Sequence, residues 1–367
     1  MTEDLQGPLI TLPAADEIEV SLFGPGTGES CVIHLGLGQW LIVDSCRARN
    51  DRRQPAALSY LRSLGVSIRD SVVALVATHW HDDHISGMAE TFQEAASAEF
   101  YFSSAVRIDE LEAFVKDRTT ASRFKSGANE LAAVKSISRR DGMERVLHPV
   151  AVNTRIWSSP RHPITEVWAL SPSSTDQLLA WEHIGGELAR RNNSPTYGQL
   201  ADLDPNDASV VLLLKSIYGP ILLGADLEHQ KNIRTRGWHA VRDSVDGPIQ
   251  ARIFKVPHHG SSNADCPEVW EHEIAQDAIC LVAPFGKGTS PPPQPDDVAR
   301  IRQHRSRSYL TSNRRGLPVR RDRVAQKSIS ESTRSFVPNT LQGGHLQVRV
   351  GRSGDVDVRG SFEACVL

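Results

Sequence analysis

Val72-Val73-Ala74-Leu75-Val76-Ala77-Thr78-His79-Trp80-His81-Asp82-Asp83-His84-Ile85-Ser86-Gly87 is the stretch on which the rest of the chain depends. Its first part, Val72 to Ala77, is a short apolar run rich in β-branched residues and predicts a buried strand. After Gly87, Met88, Phe92 and Ala95 recur at spacings of three and four, a helical pattern. His79, His81, His84, Asp82 and Asp83 therefore crowd a short turn leaving a strand end. Imidazole nitrogens and carboxylate oxygens suit zinc, manganese or iron, and a tight turn gathers several of them around one or two ions. The competing reading is a polar loop that is His-rich by chance; this spacing at a strand end argues against it.

The run His79-x-His81-x-Asp83-His84 resembles the metal-binding signature of the metallo-β-lactamase superfamily of hydrolases. That resemblance implies an α/β fold, an αββα four-layer sandwich with its site at one edge between the sheets. It also implies that His79 and His81 serve one metal, and Asp83 and His84 a second.

Length and composition bound the answer without naming it. The chain has 367 residues, 40% hydrophobic and 23% charged, with a formal net charge of −3, values ordinary for a globular protein. No apolar run approaches the ~20 residues of a membrane span, and Met1-Thr2-Glu3-Asp4 does not open a signal sequence, so no membrane partner is expected. Cys31, Cys46, Cys266, Cys280 and Cys365 are odd in number, widely spaced and never paired as CxxC. They read as small buried hydrophobes in a reducing cytoplasm rather than a disulfide framework or thiolate cage.

Along the chain, residues 1–16 read as a leader, and Ile18, Val20 and Leu22 alternate with Glu17, Glu19 and Ser21 as a half-buried strand. Gly24-Pro25-Gly26-Thr27-Gly28 invites a phosphate-loop reading, but the adjoining run Glu29 to His34 is strand-like, whereas a dinucleotide loop opens a helix. Trp40 to Val43 is a third strand, ending in Asp44; the superfamily resemblance implies that such an aspartate orients the ligand imidazoles from behind. Pro55 to Leu64 has the apolar spacing of an amphipathic helix. From about residue 104 to 204 the pattern is mostly helical and polar, with short strands near Val146 and Val167, and reads as an insertion on a core fold. Its stripes Ile108-Leu111-Phe114 and Leu131-Val134-Ile137 are narrow, and His148, His162 and His183 read as surface residues.

Two more strand ends carry the same chemistry. Asn206-Asp207-Ala208-Ser209 leads into Val210 to Leu214, and after Gly219-Pro220 the run Ile221 to Gly224 delivers Ala225-Asp226. This predicts a hairpin buried on both faces, followed by a helix from Leu227 to about Val241. Ile253 to Val256 then ends in Pro257-His258-His259-Gly260-Ser261. Three strand ends bearing His or Asp can converge on one sheet edge.

In this order, Asn206-x-x-Ser209, Leu222-Leu223-x-x-Asp226 and Lys255-Val256-Pro257-His258-His259-Gly260-Ser261 resemble the hydrolase domain of ComEC-type DNA-uptake proteins over about residues 17–312. That resemblance implies Asp226 as a carboxylate bridging two metals and one of His258 and His259 as a further ligand. His258, nearer the strand, is preferred. Where many superfamily members place another histidine, this chain has Asn206 and Ser209, as the ComEC-type pattern does, which implies that metal one is either weaker or leans on an oxygen of Asn206 or Asp207. No channel segment accompanies the pattern, which implies a free-standing hydrolase.

From Arg300 the chain turns basic, with Arg302, Arg305, Arg307, Arg314 and Arg315 further along, an asymmetry suited to phosphate backbones or simply to a solvated face. Residues 324–340 read as a Ser/Thr-rich loop, and the last strands as a hairpin added at a sheet edge. The expected organisation is a hydrolase domain over 1–323 and a loop-plus-hairpin extension over 324–367.

The expected function is metal-assisted hydrolysis, with one or two zinc or manganese ions activating water. Asp83 accepts the water's proton, Asp226 bridges, and Lys255, His259 or an arginine offsets phosphoryl charge. DNA or RNA is the expected substrate and nucleic acid the expected partner; an effector role in a bacterial defence operon rests on family analogy alone. The alternatives are a hydrolase of a small ester, lactone, cyclic nucleotide or peptide bond, and a non-catalytic binding module keeping the fold.

Overall fold

The computed structural model describes residues 5–24, 28–48, 53–108, 122–140, 145–182, 204–312 and 344–367, with side chains in the helix Ser122–Ser138 described from residue 127 onward. Its strands are β1 (Ile18–Phe23), β2 (Ser30–Gly36), β3 (Gln39–Val43), β4 (Val72–Ala77), β5 (Glu99–Ser103), β6 (Leu147–Val150), β7 (Thr154–Ser158) and β8 (Ile164–Ala169). Next come β9 (Leu212–Ser216), β10 (Ile221–Leu223), β11 (Ala251–Lys255), β12 (Ile274–Val282), β13 (Ser308–Leu310), β14 (His345–Val350), β15 (Val356–Gly360) and β16 (Cys365–Val366). They form two eight-stranded sheets, ordered β15-β14-β1-β2-β3-β4-β5-β6 and β16-β13-β12-β11-β10-β9-β8-β7.

Alternation along the strands explains the layers. One face of each sheet meets the other: Val20, Leu22, Leu41, Val43, Ala74 and Val76 share a core with Val167, Leu212, Leu214, Leu223, Ile253 and Leu281. The outer face of the first sheet, with Ile42, Leu75 and Phe100, is covered by Leu58, Leu61, Phe92, Leu131 and Val134 from helices. The outer face of the second, with Leu222, Phe254 and Val282, is covered by Trp238, Val241, Trp270 and Ile301. Helix, sheet, sheet, helix is the expected four-layer order. Strands buried on both faces explain why Val72 to Ala77 and Ile221 to Leu223 read as continuous apolar runs.

The centre of each sheet is parallel: β3 pairs β4 with Val43 opposite Val76, and β10 pairs β11 with Leu223 opposite Lys255. Parallel neighbours end on the same side, and ligands of α/β sheets sit beyond the carboxyl ends of such strands. The residues just past these four strands thus gather at one edge.

Several expectations change. β1 is buried throughout because β14 pairs along its outer edge and covers it. Glu19 is tolerated there through Arg349 Nε at 2.8 Å, Tyr60 Oη at 2.6 Å and Ser21 Oγ at 2.8 Å. The last hairpin is the sheet edge expected, but β16 crosses to pair β13 of the other sheet. Within 104–204, β6, β7 and β8 complete the two sheets, while the helix Ser122–Ser138 packs over the His79–His84 turn. A Cβ on Gly127 would lie 1.8 Å from the Trp80 carbonyl oxygen, so that approach requires glycine. The helix expected from Leu227 is confined to Gly237–Asp243, because residues 227–236 fold back as turns. Trp238 Nε1 donates to Leu227 O at 2.8 Å and His229 N to Asn263 O at 2.9 Å, which holds that loop down. His162 is buried against Trp157 and hydrogen-bonded to Ser159, not on the surface. The stretch from Leu111 to Phe114, His183, Arg314, Arg315 and residues 324–340 lie outside the described residues.

Candidate metal centre

The ends of β3, β4, β10 and β11 bring Asp44, the His79–His84 turn, Asp226 and His259 together. The backbone there is held in left-handed conformations that non-glycine residues seldom adopt: Asp44 (φ 57°), Ala225 (φ 45°), His258 (φ 44°) and His259 (φ 54°). Such strain persists only where the surroundings enforce it, and it clusters at functional sites.

Asp44 is the hub behind the ligands. Its carboxylate accepts from Thr78 N and Thr78 Oγ1, both at 2.8 Å, and from His84 Nδ1 at 2.8 Å. Because Nδ1 of His84 donates, Nε2 of the neutral ring is left as a bare lone pair. Thr78 Oγ1, committed to Asp44, accepts from His79 Nδ1 at 3.0 Å, which leaves His79 Nε2 bare too. His259 Nδ1 donates to Ala283 O at 2.9 Å with the same result. Three imidazoles are thus fixed in the ligand tautomer.

The bare nitrogens meet carboxylates. His84 Nε2 lies 3.2 Å from Asp226 Oδ2 and 3.7 Å from Asp83 Oδ2, and His259 Nε2 lies 3.1 Å from Asp83 Oδ2 and 3.5 Å from Asp226 Oδ2. Ligands at ~2.0–2.2 Å around a tetrahedral ion stand about 3.4 Å apart. Each of these two nitrogens thus stands from both carboxylates at the separation expected of neighbours in one coordination shell. Glu29, His84, Asp226 and His259 also place one ligand atom each within 4.8 Å of one another, all buried. His79 packs its ring 4.2 Å from His84 and 5.0 Å from His81, which is half-buried at the mouth.

Unpartnered atoms and surplus charge fit a cation. His79 Nε2, His84 Nε2, Asp226 Oδ1 and Glu29 Oε2 are buried without a hydrogen-bond partner, each a cost of about 1–3 kcal/mol unless a ligand binds. Glu29, Asp44, Asp83 and Asp226 all act on His84, and of these Glu29 and Asp226 also pair with the buried Lys255. Burial disfavours charge on His84, yet Asp226, Glu29, Asp44 and Asp83 outweigh it and hold its pKa well above the usual value. Without an ion a proton therefore occupies Nε2, and a cation would have to displace it. Burial also opposes ionisation of Asp226, but His84, His259 and Lys255 keep it well below the usual carboxylate range. His79 is pushed well below the usual value by burial and by His84 and His81. The four carboxylates call for positive charge at this point, which a divalent ion supplies.

Other expected residues fall around this group in different ways. His259, not His258, presents Nε2 to Asp83 and Asp226, which reverses the preference drawn from chain order. His258 turns the other way, with Nδ1 3.3 Å from Glu228 Oε1 and Nε2 3.3 Å from Asn206 Nδ2. Burial opposes its charge, but Glu228 and Asp226 push it up to about 9. Asn206 Oδ1 and Ser209 Oγ are buried and unpartnered beside the site, whereas Ser261 makes backbone hydrogen bonds, donating to His258 O and accepting from Ala264 N. Lys255 is 1% exposed; it donates to Ala225 O at 2.7 Å and pairs with Glu29, so its charge offsets the cluster instead of facing a substrate.

Two of the described arginines expected at a nucleic acid are consumed by the fold. Arg305, 5% exposed, donates to the carbonyls of Ala275, His304, Trp270 and Ile274. Arg300 bonds Asp297 and Gly260 O and pairs with Asp265. Arg302 is exposed and Arg307 half-exposed.

Glu29 was not anticipated. It heads β2, its backbone N–H donates to Asp83 O at 2.9 Å, and a Cβ on the preceding Gly28 would lie 2.6 Å from that same oxygen. The available signal was an acid opening an otherwise buried strand after a glycine-rich turn.

No protein-family model matches the chain, and no curated protein matches it. Solved structures that it matches include the metallo-β-lactamase SMB-1 bound to 2-mercaptoethanesulfonate, at 13% identity over 69% of this chain and 81% of that one, with a TM-score of 0.36. MEM-A1, a subclass B3 metallo-β-lactamase from a soil metagenome library, matches at 13% identity over 73% and 83%, TM-score 0.36. YhfI, a metallo-β-lactamase fold protein of Bacillus subtilis, matches at 12% identity over 80% and 95%, TM-score 0.40. Likeness this distant leaves the site to be read from the chain's own geometry.

Proposed function

We propose that this chain is a metal-dependent hydrolase of phosphodiesters, with DNA or RNA as substrate. The observation that carries the reading is that His84 Nε2 and His259 Nε2 each lie 3.1–3.7 Å from both Asp83 Oδ2 and Asp226 Oδ2. Divalent ions held there would be zinc or manganese, and when bound such ions lower the pKa of water to about 7 and offset charge on a phosphoryl oxygen. Asp226, with one oxygen toward His84 and His259 and the other 3.5 Å from Lys255 Nζ, would be the carboxylate shared between ions if two bind. His79 and His81 would complete the first position. Asp83, with 16% of its side chain exposed, sits at the mouth where it can take a proton from attacking water. Asp44 and Thr78 hold the imidazoles in register, and Lys255 keeps the buried carboxylates from repelling one another.

A second reading, hydrolysis of a small ester or lactone, gains support from the inward-turned Arg300 and Arg305. With these consumed, Arg302 and Arg307 are what the described part of the basic segment offers a polymer. The test loads purified protein with zinc or manganese and offers single-stranded DNA, duplex DNA, RNA and a chromogenic phosphodiester alongside an ester and a lactone. Cleavage of phosphodiesters that His84→Ala abolishes is expected. Turnover of the ester or lactone alone would replace this reading with the second; ion binding without turnover of any substrate would favour a binding module.

A further inference from the structure

Outside that centre, His229, His239 and Cys266 place one ligand atom each within 4.8 Å of one another. His229 lies in the loop after β10, His239 on the helix Gly237–Asp243, and Cys266 caps the start of the helix Pro267–His272. His229 Nδ1 is 2.7 Å from Asp265 O, a contact that requires Nδ1 to donate and so leaves Nε2 as a lone pair. That Nε2 is 3.2 Å from His239 Nε2, close to the ~3.3 Å edge that two imidazoles make on a tetrahedral zinc. Cys266 is 2% exposed, and its Sγ lies 3.3 Å from Glu268 Oε2.

We infer that His229, His239 and Cys266 form a second and structural site for zinc. Two imidazoles and a thiolate are a borderline-soft set that selects zinc over manganese or magnesium. Binding would displace the Cys266 proton to solvent. The ion would fasten the loop carrying Asp226, Glu228 and His229 to the turn carrying His258, His259 and Asn263. Those segments already touch, through His229 N to Asn263 O at 2.9 Å and Asn263 Nδ2 to Glu228 Oε1 at 2.6 Å. The clamp therefore braces two strand ends of the candidate centre without entering it. Its occupancy does not depend on what that centre hydrolyses.

Without an ion, the two imidazoles would share an ordinary hydrogen bond, with the proton on His239 Nε2, and Cys266 would stay a thiol. Cobalt separates the two cases, because the candidate centre offers only nitrogen and oxygen donors while this one offers sulfur. The full-length chain, stripped with a chelator and titrated with cobalt(II), is expected to develop a thiolate-to-cobalt charge-transfer band in the near ultraviolet. The band should persist in His84→Ala, vanish in Cys266→Ser, and need at least about 10-fold more cobalt in His239→Gln, a half-buried position that tolerates replacement. Zinc content should fall by about one ion per chain in Cys266→Ser. A wild-type chain lacking the band, or a band that survives Cys266→Ser, would overturn the assignment. If Cys266→Ser does not fold, an unchanged cobalt requirement in His239→Gln would overturn it equally.

Discussion

Around the turn at His79–His84, buried nitrogen and oxygen atoms lack hydrogen-bond partners, whereas the buried guanidinium of Arg305 is taken up by backbone carbonyls and that of Arg300 by Gly260 O, Asp297 and an ion pair with Asp265. Both regions are rich in charge and both were candidate functional segments. They differ in whether the fold itself uses up the bonding capacity. A satisfied polar group rigidifies and specifies structure, while a set of unsatisfied ones facing a common point signals an external ligand. Residue type alone does not separate the two cases; partners do.

Mutations should therefore act differently in the two regions. His84→Ala or Asp226→Asn is expected to lower phosphodiesterase activity by more than about 100-fold, exceeding the 10–100-fold typical of residues behind the ligands. Metal-free thermal stability should fall in Asp226→Asn, because His84 and Lys255 lose the carboxylate that offsets their buried charge. Unchanged metal-free stability would contradict that pairing. Arg305→Ala is expected to act on stability alone, destabilising by about 2–4 kcal/mol in denaturant titrations by orphaning buried carbonyls, with ion affinity unchanged. Asp44→Asn sits between, with divalent affinity falling about 10–100-fold by calorimetry as His84 loses the acceptor that fixes its tautomer.

Two smaller effects sharpen the same contrast. His345 is a buried histidine whose Nε2 meets Ser21 Oγ at 3.0 Å, and burial lowers its pKa to about 3. It stays neutral in the fold, while the unfolded chain takes up a proton below its ordinary pKa of ~6.5. Stability is then lost as pH falls from about 6.5 toward 3, at up to about 1.4 kcal/mol per pH unit. The denaturation midpoint of His345→Gln should fall less steeply between pH 7 and 5 than that of the wild type. Least of all, Arg302→Ala and Arg307→Ala should each reduce the salt slope of oligonucleotide binding by about 1 while leaving stability unchanged. No change in that slope would favour a small substrate.

Much of this was legible in the chain. Apolar runs ending in Asp44, His79, Asp226 and His258-His259 announced four buried strands, because a strand covered on both faces is continuously hydrophobic. What escaped depends on contacts distant in sequence. Glu29 joins the cluster through contacts far along the chain, its backbone N–H on Asp83 O and its carboxylate on Lys255 from another sheet. The choice between His258 and His259 is made by two consecutive left-handed residues, which no side-chain pattern spells out. Arg300 and Arg305 read as a basic surface until the carbonyls they meet are known. His229, His239 and Cys266 share no motif, being drawn together by a loop whose helical composition misleads.

Anomalous diffraction from crystals grown with zinc or manganese tests the central claim most directly. The account predicts an ion within about 2.0–2.2 Å of Asp83 Oδ2, His84 Nε2, Asp226 Oδ2 and His259 Nε2. A peak bound through His258 with His259 turned away, or no peak among those four atoms at saturating metal, would contradict it.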